Sequence, residues 1–314
     1  MASEPSPATG RVASWRTDTP VARRRRLRER AIAGVLFLAA FSAVAITLAI
    51  VLTLVIESAA FFEHVPLRDF LTDSQWTPLF ENPRYGIAPL VAGTLTTSVV
   101  ALVVAIPLGT ITAIYLSEFA RPRVREIVKP ILELLSGVPT VVFGYFALLF
   151  VTPLLQTFMP DLPGFNMLGP GIVIGIMIVP YISSLSEDAM RAVPMELREA
   201  SYGMGASRFQ TAVRVVTPAA MSGIVASYIL GISRAVGETM VVAIAAGQQP
   251  TLTFDPTEAA ATITAYIVQV AMGDLPHGSV GYQSIFAAGL TLFVITLFFN
   301  LCGHWIRKRY REAY

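Results

Sequence analysis

The stretch Ala219–Gly247 reads AAMSGIVASYILGISRAVGETMVVAIAAG, and Arg234 and Glu238 are its only charged residues. At ~1.5 Å per helical residue it is long enough to cross a bilayer. A full charge at mid-membrane costs roughly 2.5–3.5 kcal/mol even on the lenient insertion scale. Two such charges four residues apart either neutralise each other or handle something charged that crosses the membrane. Residues at this spacing share a helix face. Gly223, Ser227 and Gly231 form a ladder of small residues that lets another helix pack closely, and Arg234 and Glu238 nearly continue it. The charges therefore belong inside a bundle or at a subunit interface, away from lipid. Ser233 and Thr239 flank this face and offer hydroxyl donors.

The rest of the chain has the same character. Of 314 residues, 54% are hydrophobic and 14% charged, too apolar for an ordinary soluble domain. The apolar residues come in long runs, and six spanning helices are expected at about 31–56, 88–116, 128–154, 168–186, 219–247 and 284–306. No ten-residue alternating strands appear, so the expected class is an all-α integral membrane protein. Pro107, Pro139 and Pro180 fall inside or near the ends of spans and can kink them, exposing backbone groups to a cavity. Gly137, Pro139 and Thr140 make the best second pathway-lining element; ordinary helix distortion is the alternative. Outer residues 258–272 are helical but too short to span, and read equally as a re-entrant or interfacial segment or as a packed surface helix.

Basic residues orient the bundle. Twenty of the 23 lie in the N-terminal tail, the second-to-third and fourth-to-fifth connections and the C-terminus. Only Arg68 and Arg84 lie in the other connections, and Arg234 is the remaining one. The positive-inside rule then makes both termini cytoplasmic. Residues 1–30 read as a cytoplasmic, disordered basic tail, 31–306 as the membrane domain with a cytoplasmic loop at 194–218, and 307–314 as a basic cytoplasmic end. The run Arg23–Arg26 serves as a topology anchor and the net charge of +2 does not point to nucleic acid. The first helix is too long for a signal-peptide core, so no cleavage is expected. One cysteine, Cys302, and three scattered histidines, His64, His277 and His304, give no disulfide and no metal set.

The sequence holds no G-x-x-x-x-G-K-[ST] phosphate loop, zinc-binding H-E-x-x-H or nucleophile–base constellation, so no enzymatic activity is expected of this chain. Residues 194–218, PMELREASYGMGASRFQTAVRVVTP, read as a short helix, a glycine turn and a second amphipathic segment. Pro218 stands where the next span begins, a position helices tolerate well. The small surface Ala200, Ser201, Gly203 and Gly205 lets another protein approach the backbone.

The spacing Glu199-Ala200-Ser201, then Gly205, then Val215-x-Thr217-Pro218 resembles the EAA loop of ABC importer permeases, departing from its pattern at Ser201, Val215 and Thr217. IPLGTITAIYLSEF (106–119), SGVPTVVFGYFAL (136–148), VPYISSLSEDAMRAVP (179–194) and GISRAVGETMVV (231–242) resemble the phosphate-specific transport (Pst) permeases. Met240-Val241-Val242 after R-A-x-G-E-T is similar to the C-type subunit. The resemblance covers about residues 86–306. It implies a type I importer permease with an A-type permease partner, two copies of a cytoplasmic ATPase that bind the ATP and Mg, and an external phosphate-binding protein. It also implies that Glu199, Ala200, Gly203 and Gly205 belong to the loop that docks on the ATPase.

A phosphate pathway gives both mid-membrane charges work. The Arg234 guanidinium offers a planar fork to an oxyanion. Phosphate at neutral pH retains a proton, and the Glu238 carboxylate can accept a hydrogen bond from P–OH, which sulfate cannot donate. Alternatively, Arg234 and Glu238 pair as a closed gate, or as a permanent staple between helices. The rival functions are an ABC permease for sulfate, molybdate or phosphonate, and a stand-alone carrier with Glu238 as its proton site.

Overall fold

The computed structural model describes residues 20–78, 80–276 and 278–309. The expected disorder of residues 1–19, His277 and residues 310–314 lie outside the described residues. Helix α1 runs Pro20–His64. Residues 20–30, expected to be disordered, are instead its first turns: the arginines are good helix formers and nothing breaks the run before the apolar span. Chain contacts divide at Thr53. In the first unit the apolar side chains of α1, such as Leu36, Phe37 and Phe41, are exposed, as a lipid-facing span requires.

The second unit, from Leu54, holds the bundle. Its elements are α2 (Leu67–Thr72), α3 (Ala88–Ile114), α4 (Pro122–Ser136), α5 (Thr140–Phe146), α6 (Thr152–Gln156), α7 (Leu168–Arg191) and α8 (Met195–Gly203). Then come α9 (Arg208–Thr211), α10 (Thr217–Ala219), α11 (Met221–Val236), α12 (Met240–Ala245), α13 (Ile263–Gln269) and α14 (Val280–Arg309). Prolines mark many starts. Pro122 stands in the first turn of α4, where a missing N–H costs nothing, and Pro139 and Pro194 cap α5 and α8. Single π-turns extend α3 over Tyr115–Phe119 and join α5 to α6 over Ala147–Val151.

Among the described residues four helices are long and apolar enough to cross a membrane: those within Arg23–His64, Ala88–Phe119, Leu168–Arg191 and Val280–Arg309. Two further candidates are bent pairs, so six spans result only if each pair is counted as one. The expected span 128–154 is one of them. It breaks at Gly137–Pro139, and α4 turns 88° from Thr140–Gln156. The residue before Pro139 is disfavoured in helix, which sets the break. Helix α4 is amphipathic: Ile127, Ile131 and Leu134 are exposed, while Arg125 and Lys129 reach α7. The expected span 219–247 is also broken. It bends 73° between Arg208–Ala219 and Met221–Val236, and breaks again at Gly237–Thr239.

The centre of the bundle is α3 packed along α7, with α11 against both. Close approach follows from small residues. A Cβ on Gly175 would meet the Ala101 carbonyl at 2.7 Å, and one on Gly109 would meet Ile182 at 2.7 Å. Ala101, Ala105, Val173, Ile174, Met177 and Ile178 fill the core between them. A second core of edge-to-face aromatics, Phe61, Phe70, Trp76, Tyr85 and Tyr266, gathers α1, α2 and α13. Segment 258–272 contributes here: Ile263, Thr264, Ala265 and Tyr266 are buried against α3, α12 and α14, so α13 is part of the bundle interior.

Candidate functional site

The small-residue ladder of α11 faces α7. A Cβ on Gly223 would collide with Ala189, and one on Gly231 would lie 3.1 Å from Ile182. Between them the Ser227 and Ser186 hydroxyls bond at 2.8 Å, both fully buried. One turn on, the Arg234 guanidinium lies over the Tyr181 ring, 4.4 Å from its centroid. Its Nε is buried with no hydrogen-bond partner. The face read from the sequence is thus the packed face, and Arg234 ends it.

Glu238 is placed differently from the one-helix reading. Gly237, at φ −90° and ψ 1°, ends α11, and α12 begins only at Met240, so Glu238 lies in the break and its i, i+4 relation to Arg234 is lost. Among the described residues no carboxylate oxygen lies within 4.0 Å of the Arg234 guanidinium. The side chain of Glu238 is buried in the break and accepts the Val241 N–H at 3.4 Å. Its main-chain carbonyl accepts the Thr264 hydroxyl at 2.7 Å, tying the break to α13. Neither a closed-gate pair nor a staple between these two residues is present in this conformation.

The flanking hydroxyls serve local structure. Ser233 donates to Asn300 Oδ1 of α14 at 3.1 Å, and Thr239 donates to the Gly237 carbonyl at 3.2 Å. Gly137 and Pro139 form the α4–α5 bend and Thr140 opens α5. The helices after the two breaks meet: a Cβ on Gly144 of α5 would lie 2.8 Å from Ile244 and 3.2 Å from the Met240 carbonyl of α12. The two irregular segments therefore belong to one packed region.

In the 194–218 segment, α8 is followed by Gly205 at φ +82°, which requires glycine, while no atom crowds its Cβ position. Ser207 and Gln210 form a reciprocal capping box that starts α9, and Ser201 bonds Thr211 across the turn at 2.8 Å. Glu199, Ala200, Gly203 and Gly205 are all exposed, as are Met204 and Phe209. This is an open face with apolar residues at its tip, the composition of a protein contact.

Two buried charge clusters escaped the sequence reading. Arg198, 9% exposed, pairs with Glu118, 7% exposed, through Nη2–Oε1 at 2.9 Å. It also donates to the carbonyls of Val193 at 2.6 Å and Met190 at 2.8 Å. Arg198 thereby fixes α8 to the ends of both α3 and α7. Glu187, fully buried near the end of α7, receives Lys129 at 2.8 Å and lies 2.7 Å from Arg125 Nε. The Arg125 N–H is poorly aligned, so that contact is ionic without being a hydrogen bond. A signal existed for both: acids at span ends opposite basic connections. Among the described residues no group of three or more His, Cys, Asp or Glu can hold a metal ion.

The fold has solved counterparts. The chain aligns over 92% of its length with 99% of a chain of a bacterial alginate ABC transporter, at TM-score 0.64 and 19% identity. It aligns over 72% of its length with 95% of a chain of the MetNI methionine ABC transporter, at TM-score 0.53 and 17% identity. These define the class: an all-α, multi-pass bundle of the type I ABC importer permease kind. Residues 105–312 match the family described as binding-protein-dependent transport system inner membrane component. The chain belongs to this family of ABC transporter permeases. A probable ABC transporter permease of Bacillus subtilis, YqgH, is 35% identical over 77% of this chain and 78% of its own. The phosphate transport system permease PstC of Mesorhizobium japonicum is 33% identical over 76% and 78%, respectively. PstC 1 of Mycobacterium tuberculosis is 34% identical over 72% and 73%. Long apolar helices and this family make the chain a multi-pass inner-membrane protein. Family membership implies a complex of a permease pair, an ATPase and a binding protein.

Proposed function

We propose that this chain is the C-type permease subunit of an ATP-driven inorganic phosphate importer and that Arg234 handles the anion in transit. The observation that carries the reading is the state of Arg234. It is a guanidinium inside an apolar bundle, held on Tyr181, with a buried unpartnered Nε and no carboxylate at hand. Such a cation in a membrane is costly unless it has a partner, and a transient oxyanion is one. The PstC relatives support phosphate as that oxyanion. Glu238, two residues beyond the end of α11, is the acceptor for the proton that phosphate retains at neutral pH. Because the two side chains are not paired with each other, neither neutralises the other before the solute arrives. Ser233, Thr239, Gly137, Pro139 and Thr140 play a lesser part, shaping the two breaks beside the path.

Glu199, Ala200, Gly203 and Gly205 present the face that docks on the ATPase dimer. ATP and Mg are bound by that partner, and this chain makes and breaks no covalent bond. The A-type permease completes the pathway and an external phosphate-binding protein delivers the solute. The test is uptake of labelled phosphate by the reconstituted four-component complex. Arg234→Gln should abolish uptake while the complex still assembles; uptake at the wild-type rate would remove Arg234 from the pathway.

A further inference from the structure

The last turn of α14 carries Arg307, Lys308 and Arg309. Arg307 and Lys308, with His304 and with Ser222 from the first turn of α11, line a cavity of about 470 Å³. The two helices are in tight contact here, since a Cβ on Gly303 would collide with Ile229. Among the described residues no acid answers these charges. Residues 200–237 contain no Asp or Glu, and neither do residues 275–309. Among the described residues no carboxylate lies within 4.0 Å of Arg307 or Lys308.

The bonding already present sharpens the site. Arg307 Nη2 and His304 Nδ1 are 3.0 Å apart. A guanidinium can only donate, so Nδ1 is the acceptor and the imidazole N–H is on Nε2. The cavity therefore offers two cations, an imidazole N–H and the Ser222 hydroxyl. That is a donor set for a phosphate oxyanion. Beside it Leu301 and Trp305 are 61% and 62% exposed on a spanning helix, so apolar surface begins within about a turn of the cations. The Trp305 ring also carries Arg309, 5.8 Å from its centroid. A free anion would gain nothing from this apolar flank, whereas a lipid would lay its first acyl carbons along it. Basic pockets between membrane helices hold anionic headgroups for this reason.

We propose that the Ser222–His304–Arg307–Lys308 cavity binds the phosphodiester of an anionic phospholipid. The site is separate from Arg234 and does not depend on which solute the transporter carries.

The test is native mass spectrometry of the purified full-length chain with phosphatidylglycerol, and with phosphatidylcholine as the zwitterionic reference. The wild type should retain phosphatidylglycerol preferentially. A cation near an anionic headgroup is worth about fivefold in binding, so Arg307→Gln with Lys308→Gln should reduce that preference roughly 25-fold. Arg24→Gln with Arg28→Gln, in the basic stretch of α1, should leave most of it. Ser222→Leu narrows the cavity without touching charge and should weaken the preference as well, which covers the case in which the double variant folds poorly. An unchanged preference in both cavity variants would overturn the site. Displacement of phosphatidylglycerol by millimolar inorganic phosphate would overturn the lipid and assign the cavity to the free anion.

Discussion

Arg234 and Glu238 differ in what they need from a substitute. Arg234 presents a planar fork whose face rests on Tyr181. Arg234→Lys keeps the charge and loses the fork, so it should recover only part of the uptake that Arg234→Gln loses, measured as the initial rate of labelled phosphate entry. Glu238→Gln keeps the side-chain shape and removes the acceptor for a P–OH proton. It should lower discrimination between phosphate and sulfate in competition assays, and unaltered discrimination would leave Glu238 only its bond to Val241. Arg198 is the most heavily bonded of the buried cations described above, and its loss strands Glu118. Arg198→Ala should destabilise the chain by about 3–5 kcal/mol, the cost of an uncompensated buried charge. Arg198→Met combined with Glu118→Leu removes both charges and should cost much less. Thermal unfolding in detergent separates these outcomes.

At the scale of elements, the breaks mattered more than the helices. The sequence reading placed Arg234 and Glu238 on one continuous helix because a run of apolar residues carries no mark of where tertiary contacts will bend it. Gly237 was visible, but glycine inside an apolar run also serves packing, as Gly223 and Gly231 do. The α4–α5 bend is half legible: Gly137 and Pro139 mark a distortion in the sequence, but the 88° angle and the contacts of Lys129 and Arg125 with Glu187 on α7 carry no local mark. By contrast, the 194–218 turn was legible, because its spacing is local chemistry. Gly205→Leu forces an L side chain into a φ of +82°, at a cost of roughly 1–3 kcal/mol of local strain. It should uncouple ATP hydrolysis from uptake or loosen the ATPase, with phosphate-over-sulfate selectivity unchanged.

For the whole molecule, charge placement and family agree on a multi-pass permease, and the sidedness is testable directly. Single cysteines at positions 199–205, in a chain whose native Cys302 is replaced by Ser, should label only from the cytoplasmic side and crosslink to the ATPase. A cysteine at Phe254, exposed on the connection after α12, should label from the outside. The reversed pattern would invert the topology. What sequence alone could not supply at this scale was the interior placement of α13. Its seven residues are too few to span, and only the partners Thr94, Glu238 and Ser284 show that it fills the bundle.

The backbone at Gly205 has one more consequence, and it is a matter of handedness. A φ of +82° with no atom near the missing Cβ is hostile to an L residue but is ordinary ground for its mirror image. A chain assembled by ligation with D-alanine at this position should therefore keep the turn, and should hold it more tightly than glycine does, because the unfolded loop has fewer conformations to lose. The docking face would be retained by a residue that the ribosome cannot supply, while L-alanine, with the same atoms, would distort it.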